Sequence, residues 1–256
     1  MKLTPRRIAH GLGRRVPRRP FGYVLVYQVM RPLFRFWLSV VAAERDPGRA
    51  MRRLLDVHQD AYDQVDVAAI RYDGGVHAKH RLTRYHDFFV DRVHAGDRVL
   101  DIGCGKGELA HDLADRAGAT VVGIDVNPWS LAFARERFAH PNVTFVEADA
   151  LSYAPDAAFD AVVMSNVLEH IGDRLELLRH IMTTAKPSRF LIRVPVLKRD
   201  WIVPLRKELG LRYFSEVTHV TEYDRQQLAS ELGAAGLEVH ELIEVWSELW
   251  AEARPS

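Results

Sequence analysis

The stretch Val-Leu-Asp-Ile-Gly-Cys-Gly-Lys-Gly-Glu at Val99–Glu108 decides how this sequence folds. Apolar residues lead directly into three glycines at alternate positions, and a helical pattern begins immediately behind them. This order is typical of a buried parallel strand, a tight turn and a helix. Glycine suits such a turn because it tolerates positive φ and lets a ligand lie against the backbone. Asp101 ends the strand and can accept hydrogen bonds, so the stretch predicts a nucleotide-like ligand.

The spacing of the glycines separates the classes of nucleotide-binding loop. The dinucleotide fingerprint requires G-x-G-x-x-G, whereas Gly103, Gly105 and Gly107 follow a G-x-G-x-G pattern. A P-loop is excluded because Lys106 is not followed by Ser or Thr. The next predicted strand ends in Asp125, where the hydroxyls of a ribose would lie. The position of the third glycine therefore disfavours an NAD-dependent enzyme.

The composition is that of a globular protein. The chain has 256 residues, of which 48% are hydrophobic and 27% charged, enough for one full α/β domain and an appendage. The single cysteine, Cys104, excludes an intramolecular disulfide framework and fits a reducing compartment. We therefore expect a cytoplasmic protein. Since Cys104 lies inside the glycine turn, we interpret it as a small packing residue and not as a catalytic thiol.

The charge of the chain is unevenly distributed. Residues 1–53 hold 13 Lys/Arg and 2 Asp/Glu, a net charge of +11, whereas the rest holds 22 and 32, a net charge of −10. Residues 1–20 form a basic arm without acids, which we predict to be flexible. Such an arm can meet anionic lipid, nucleic acid or an acidic partner, or fold onto the acidic remainder of its own chain.

A helical, partly amphipathic extension is predicted over residues 21–75. Its first part, residues 21–43, is apolar and aromatic apart from one polar stripe at helical spacing, formed by Gln28, Arg31, Arg35 and Ser39. Pro32 is expected to kink this helix or to split it. Two arginines argue against a spanning helix, since each costs roughly 2.5–3.5 kcal/mol at the bilayer centre. The pattern favours either a helix lying on an anionic membrane surface, at the inner face, or one covering a substrate mouth.

The third predicted domain, residues 76–256, alternates strands with helices. The strands are predicted at Arg98–Ile102, Thr120–Asp125, Val143–Glu147, Phe159–Met164, Arg189–Val194, Leu237–Ile243 and Val245–Ala251. Repeated β-α-β units predict an α/β fold with a mostly parallel, Rossmann-like sheet and helices on both faces. Because the crossovers are right-handed, the loops that follow the strands meet along one rim, where ligands bind.

Four segments, in this order, resemble the class I S-adenosylmethionine-dependent methyltransferases. Val99–Gly107 resembles the first motif of that family, residues 123–128 the ribose segment, residues 148–150 the adenine-binding acid, and residues 159–170 the fourth-strand signature. Together they cover roughly residues 80–195. The resemblance implies a seven-stranded sheet with an antiparallel last strand and S-adenosyl-L-methionine as the cofactor.

The resemblance also implies which residues hold the methionine part of the cofactor. Asp101 would favour its ammonium, and the backbone from Gly103 to Gly107, Cys104 included, would lie against it. A segment just upstream of the first strand covers the cofactor in this family and can reach its carboxylate. Arg81 and Lys79 are the candidate cations, with a solvated basic patch as the alternative.

The nucleoside part is assigned to the next two loops by the same resemblance. Asp125 would accept hydrogen bonds from both ribose hydroxyls, and Asp149 one from the adenine amino group. The amide of Ala150 or Leu151 would face a ring nitrogen, and Val126 and Leu151 would enclose the adenine.

The chemistry of the acceptor is less defined. Methyl transfer from a sulfonium is an in-line displacement, which needs a general base only when the acceptor must lose a proton. The candidate bases are His219, His170 and Glu169, and Asn166 in the same loop is assigned to the cofactor. Residues 196–223 are too long for a simple connection and are predicted to form a lid over the acceptor.

Several classes of acceptor remain open. No Cys-rich zinc pattern and no Asp/Asn cluster of the metal-dependent type is present, so we predict no metal site. No N-P-P-Y-like run follows the fourth strand, which disfavours enzymes that modify amino groups of nucleic acids. We therefore expect methyl transfer to an oxygen of a small molecule, a glycan or a lipid-linked acceptor. The alternatives are an RNA-modifying methyltransferase that uses the basic arm and a non-catalytic cofactor-binding module.

Overall fold

The computed structural model describes residues 21–256, with side chains from Val26 onward. The basic arm predicted for residues 1–20 lies outside the described residues. The chain divides into two compact units, Met1–Gln59 and Asp60–Ser256. The three-part division drawn from the sequence, with boundaries after residues 20 and 75, stays a prediction.

The first unit contains α1 (Phe21–Ala42) and the start of α2 (Pro47–Tyr72). Pro32 lies inside α1 without dividing it, since proline removes a single backbone donor and the turns on either side keep theirs. Large apolar side chains of α1 are exposed: Val26, Tyr27, Val29, Met30, Leu33, Phe34, Phe36, Trp37 and Val40. Among the described residues, no helix combines the length and the apolar character that crossing a bilayer requires.

The second unit is built around a seven-stranded sheet. Its strands are β1 (Arg98–Ile102), β2 (Thr120–Asp125), β3 (Val143–Glu147), β4 (Ala161–Ser165), β5 (Arg189–Pro195), β6 (Leu237–Val245) and β7 (Glu248–Pro255). The strand order is β3-β2-β1-β4-β5-β7-β6, and β7 is antiparallel to both of its neighbours. The predicted fold class is confirmed. The order reverses between β1 and β4, which places the crevice for a ligand beyond the carboxyl ends of those strands.

The core lies on both faces of this sheet. Side chains along β1 and β4 alternate between the two faces, as the two-residue period of a strand requires. Besides the end of α2, the helices of this unit are α3 (Lys79–Thr83), α4 (His86–Val90), α5 (Glu108–Ala117), α6 (Pro128–Arg137), α7 (Arg174–Thr184), α8 (Ile202–Glu208) and α9 (Arg225–Ala234). Val99 and Val163 belong to the cluster under α5 and α6, whereas Leu100 and Met164 belong to the cluster under α7 and α9.

Two helices of this unit begin with side-chain caps. Asn127 caps α6, where its side chain accepts hydrogen bonds from the backbone N–H groups of Trp129 and Ser130. At α9, Asp224 and Gln227 form a reciprocal capping box, with distances of 2.8 and 3.0 Å. These caps fix where the helices on the two sides of the sheet begin.

The position of the last hairpin was predicted wrongly. Its turn is Trp246-Ser247 and not Glu244, because β6 continues to Val245. Both turn residues have positive φ, 55° and 61°, a conformation that usually calls for Asn or Gly. The sequence therefore carries no signal for this turn.

The long segment after β5 forms a closed loop. Its ends are held together where the amide of Leu197 donates to the carbonyl of Tyr223 at 2.8 Å and the amide of Tyr223 donates to Pro195 at 3.1 Å. The short helix α8 lies within it. The segment thus returns to the strand end from which it left, above the rim where the other loops meet.

Candidate functional site

The three glycines of the loop after β1 have different tasks. All have positive φ: 65° at Gly103, 53° at Gly105 and 84° at Gly107. A Cβ at Gly103 would lie 2.8 Å from Val167, and one at Gly107 would lie 2.6 Å from Phe145. At Gly105 a Cβ would meet nothing closer than a backbone oxygen at 4.0 Å. The outer glycines are required by packing, whereas the middle one borders open space in which a ligand can lie.

Asp101 presents a carboxyl group without a partner. It is 2% exposed, and its Oδ2 has no hydrogen-bond partner among residues 21–256. Burial raises its pKa to about 8, and the neighbouring carboxylates of Asp125 and Glu108 raise it further. A buried acid with an unused oxygen is suited to a cationic ligand group, which would return it to its charged form. An ammonium at this point would supply the missing partner.

Asp125 has a structural task that the sequence did not predict. Its Oδ2 accepts the amide N–H of Gly105 at 2.8 Å, and its Oδ1 accepts that of Asn127 at 2.8 Å. The carboxylate therefore ties the end of β2 to the glycine loop. Each oxygen retains a second lone pair, so the group can still accept from ligand hydroxyls. Val126 beside it is 66% exposed, leaving an apolar surface open.

The loop after β3 arranges its acid similarly. Asp149 Oδ1 accepts the amide N–H of Leu151 at 2.9 Å. Of the two amides predicted to face a ring nitrogen, the one at Leu151 is therefore engaged within the loop, which leaves Ala150 as the candidate. Leu151 is 36% exposed, so its side chain, like that of Val126, is available to an apolar ligand surface.

Arg81 lies at the surface in this structure. Its guanidinium pairs with Asp73, with Nε to Oδ2 at 3.2 Å, and its side chain is 56% exposed. Lys79, two residues earlier, instead lines a cavity next to the rim. Asn166, at the end of β4, has positive φ of 58° and a buried Oδ1 without a partner in the described chain. It too lines that cavity.

The cavity, which we call the acceptor cavity, has a volume of about 400 Å³. It is lined by the following residues: Tyr62, Asp66, His77, Lys79, Thr83, Asn166, Arg193, Pro195, Arg199, Ser215, Glu216, His219, Trp246, Ser247 and Glu248. They come from the ends of β4 and β5, the closed loop after β5, the β6–β7 turn and the segment before β1. Four residues from the segment predicted to form a lid line this space, and one of them is the predicted base His219.

His219 is held by a carboxylate in an arrangement typical of a general base. Its Nδ1 lies 2.9 Å from Glu222 Oε1, and the hydroxyl of Ser215 donates to the same oxygen at 2.6 Å. The Nε2 atom is buried and has no hydrogen-bond partner among the residues that the structure describes, Glu216 Oε2 lying 3.9 Å away. Burial lowers the pKa of His219, but the hydrogen bond that its ring donates to Glu222 and the charge of Glu169 outweigh this and raise it. Burial raises the pKa of Glu222, but the contacts with His219 and Ser215 outweigh this and lower it.

The other two predicted bases lie beside His219. The ring of His170 makes an edge contact with that of His219, with centroids 4.7 Å apart. Glu169 is fully buried, and neither of its carboxylate oxygens has a partner in the described chain. Burial raises the pKa of Glu169 to about 7. The structure therefore brings together all three candidates for acid–base chemistry.

The same three side chains could offer ligands to a metal ion. Glu169, His170 and His219 present one ligand atom each, and these atoms lie within 4.8 Å of one another. Imidazole and carboxylate are common ligands of divalent transition metals. The absence of a metal, expected from the sequence, stays a prediction.

The contact of Glu222 with His219 and the Arg193–Glu248 pair were not predicted from the sequence. Glu222 follows His219 by three positions inside a loop, where spacing alone does not indicate contact. Arg193 and Glu248 lie on neighbouring strands, β5 and β7, and form a two-pronged ion pair with Nε to Oε2 at 2.6 Å. Such pairs depend on the register between the two strands, and no local sequence motif indicates that register.

Comparisons with known proteins agree with this geometry. A family model described as a methyltransferase domain matches residues 75–242. A ubiquinone biosynthesis O-methyltransferase from Pseudomonas entomophila (strain L48) is 33% identical over 159 residues, which cover 58% of this chain and 68% of that protein.

Solved structures share the fold. The magnesium protoporphyrin IX methyltransferase of Synechocystis PCC 6803, with bound S-adenosylhomocysteine, has a TM-score of 0.51 at 21% identity, covering 92% of this chain and 99% of that one. The N-methyltransferase NodS of Bradyrhizobium japonicum WM9, with the same ligand, has a TM-score of 0.52 at 18% identity, covering 69% and 86%.

Proposed function

Because this chain belongs to the class I S-adenosylmethionine-dependent methyltransferases, we propose that it transfers the methyl group to a hydroxyl oxygen of a small-molecule acceptor. We propose oxygen as the acceptor atom because of the His219–Glu222 pair, in which His219 lines the acceptor cavity. A hydroxyl must lose its proton on methylation, and a carboxylate-held histidine with a free Nε2 is suited to receive it.

The cofactor supplies an electrophilic methyl group on a positively charged sulfur. Its methionine part would lie along the backbone of Gly103–Gly107, with Asp101 accepting from the ammonium. The open space at Gly105 and the unused oxygen of Asp101 support this placement. Arg81 stays our candidate for the cofactor carboxylate, which would require it to leave Asp73.

For the nucleoside part, we assign the ribose hydroxyls to Asp125 and the adenine amino group to Asp149. The amide of Ala150 would face a ring nitrogen, and Val126 and Leu151 would enclose the adenine. The exposure of both apolar side chains supports this assignment.

On the acceptor side, Nε2 of His219 would take the hydroxyl proton while Nδ1–H donates to Glu222. This arrangement fixes the tautomer and stabilises the imidazolium that forms. Glu169, once ionised, adds a second negative charge next to His219. His170 restrains the ring by its edge contact. Asn166, assigned to the cofactor from the sequence, lines the cavity where cofactor and acceptor would meet.

The experiment that tests the proposal offers the enzyme methyl-labelled S-adenosylmethionine and four matched benzene derivatives: a phenol, a catechol, an aniline and a thiophenol. We expect label on an oxygen of the phenol or the catechol and none on the aniline or the thiophenol. The relative from Pseudomonas entomophila, an O-methyltransferase of ubiquinone biosynthesis, supports an oxygen as the acceptor atom. Label on nitrogen or sulfur, with none on oxygen, would contradict the proposal.

For the partner, we propose that α1 lies on an anionic membrane surface and brings the enzyme to an amphiphilic, lipid-linked acceptor. The exposed apolar side chains of α1, among them Leu33 and Phe36, would enter the acyl boundary. Arg31 and Arg35 on its polar stripe would face the lipid phosphates. The expected result is co-sedimentation with phosphatidylglycerol vesicles, weakened by salt and by Leu33→Asp with Phe36→Asp. Leu82→Asp, at an exposed leucine elsewhere, is the control, and equal sedimentation of all variants would refute the proposal.

A further inference from the structure

The charged side chains that line the acceptor cavity are mostly neutralised by one another. Arg193 forms its two-pronged pair with Glu248, donates to the hydroxyl of Ser165 at 3.1 Å and lies 3.7 Å above the ring of Tyr85. Arg199 donates to Glu222 at 2.6 Å and to the carbonyl of Tyr213 at 3.1 Å. Both guanidinium groups therefore have their partners within the protein.

The remaining acid near the start of α3 is also engaged. Asp66 Oδ1 lies 3.3 Å from Nε2 of His77, whose Nδ1 accepts the amide N–H of Lys79 at 3.0 Å. Since Nδ1 is an acceptor, Nε2 carries the ring proton and donates it to Asp66. Glu216 is 62% exposed, and its nearest imidazole is His219 at 3.9 Å.

Lys79 differs from these groups. It is partly buried and lines the cavity, yet its ammonium has no hydrogen bond or ion pair with any residue of the described chain. Burial lowers its pKa, and the positive charge of Arg193 lowers it further, against the opposing charges of Glu248, Glu216 and Asp66. None of these acids pairs with the ammonium directly, and a bound anion would be such a partner.

Resting on the proposed function, we propose that Lys79 binds a carboxylate of the methyl acceptor, so that the substrate class is an anionic hydroxy compound. The hydroxyl to be methylated would face His219, which lines the same 400 Å³ space. A charge-assisted hydrogen bond from Lys79 would then select acceptors that carry an acid.

A carboxylate in reach of Lys79 could also come from the cofactor. The lining of the cavity favours the acceptor, because it includes neither Asp101, nor Asp125, nor any glycine of the loop after β1. It is formed instead by the loops after β4 and β5 and by the β6–β7 turn. The experiment therefore measures both sources.

Affinities are measured by calorimetry with full-length protein. Titration with S-adenosylhomocysteine alone reports on the proposed function. Benzoate and benzyl alcohol, which differ in charge and little in shape, are then titrated into the protein saturated with S-adenosylhomocysteine. The variants are Lys79→Gln, Lys79→Arg and, as a matched control, Lys186→Gln at an exposed lysine before β5. Thermal melting establishes that each variant is folded.

We expect the wild type and Lys186→Gln to prefer benzoate over benzyl alcohol by roughly tenfold or more, the size of one charged hydrogen bond. Lys79→Gln should lose this preference, and Lys79→Arg should retain part of it. No binding of benzoate, no preference in the wild type, or an unchanged preference in Lys79→Gln would overturn the proposal while leaving methyl transfer intact.

A second set of titrations tests whether Lys79 binds the carboxylate of the cofactor instead. Affinity for S-adenosylhomocysteine is compared with that for 5′-methylthioadenosine, which lacks the amino acid part. If Lys79→Gln weakens only the former and leaves the benzoate preference unchanged, Lys79 binds the cofactor carboxylate and the acceptor proposal is wrong.

Discussion

The rim of the sheet has two halves that are built differently. The cofactor half, the loops after β1, β2 and β3, relies on backbone geometry and on carboxylates that bind amides, as Asp125 binds Gly105. The acceptor half, the loops after β4 and β5 with the β6–β7 turn, relies on side chains that bind one another, as His219 binds Glu222. The first half presents a preformed surface to a ligand of constant shape, whereas the second places individual charges around a cavity.

The buried acids of the two halves show the same contrast. Burial raises the pKa of Asp101 to about 8 and that of Glu169 to about 7. The charges around Asp101 are acids and raise its pKa further, whereas His219 and Arg193 lower that of Glu169. The cofactor half is therefore short of positive charge, which a sulfonium amino acid would bring. The acceptor half already contains the cations that face its buried acid, so its side chains can take up and release a proton.

The largest expected effect lies in the acceptor half. His219→Asn should lower kcat by roughly 10²–10⁴-fold, the usual contribution of a general base, with little change in affinity for S-adenosylhomocysteine. In the wild type, kcat should rise with pH through a pKa above the ordinary value, because only neutral His219 accepts a proton. Glu222→Gln should shift that limb to lower pH. His240→Asn, at an exposed histidine, is the control, and equal loss in both histidine variants would refute the role.

The next effect separates packing from binding within the cofactor half. Gly107→Ala should destabilise the fold by roughly 2–4 kcal/mol, through positive φ and a Cβ driven into Phe145. Gly210→Ala is the matched control, with φ of 69° and nothing within 4 Å. In urea titrations, Gly105→Ala should have a free energy of unfolding similar to that of Gly210→Ala. It should nevertheless bind S-adenosylhomocysteine at least ~10-fold more weakly than the wild type does. Unimpaired binding by Gly105→Ala would mean that the cofactor does not lie there.

Much of the cofactor half could be predicted from the sequence, because its determinants are local. The glycine spacing lies within five residues, and each acid lies at or just beyond the end of its own strand, so each determinant is read from a short stretch and imposes one geometry. The second task of Asp125, holding Gly105 across 20 positions, was not visible because it depends on the pairing of β1 with β2.

The acceptor half could be predicted only as a set of candidates. His219 and His170 were named, but their edge contact and the hold of Glu222 arise from how the closed loop folds back. The pair of Arg193 with Glu248 follows from the register of two antiparallel strands. That register could not be predicted, because the sequence carries no signal for the Trp246-Ser247 turn before β7. Side-chain networks between distant segments have no local sequence signature.

A smaller effect tests the buried acid of the acceptor half. The folded-state pKa of Glu169, about 7, lies above its ordinary value of 4.5. Ionisation therefore disfavours the folded state, and stability should fall as pH rises from about 4.5 to about 7. Glu169→Gln removes this cost, so it should raise the free energy of unfolding at pH 8 by at most about 3 kcal/mol and change it little at pH 4. Urea titrations at both pH values measure the difference, and a loss of stability at pH 8 would contradict the account.

The smallest expected effect concerns metal. Dialysis against EDTA should leave kcat unchanged, since His219 with Glu222 provides the base. A loss of activity on dialysis that a divalent cation reverses, together with a similar loss of activity in His170→Asn, would show that Glu169, His170 and His219 act as metal ligands.

The central claim is that the cofactor half is short of positive charge until its ligand arrives. Calorimetric titration with S-adenosylhomocysteine at pH 7, in two buffers of different ionisation enthalpy, tests it most directly. One molecule should bind, with release of about one proton as the ligand ammonium returns Asp101 to its charged form, and Asp101→Asn should release none. Absence of binding heat in both buffers, or binding by the wild type without proton release, would contradict the claim.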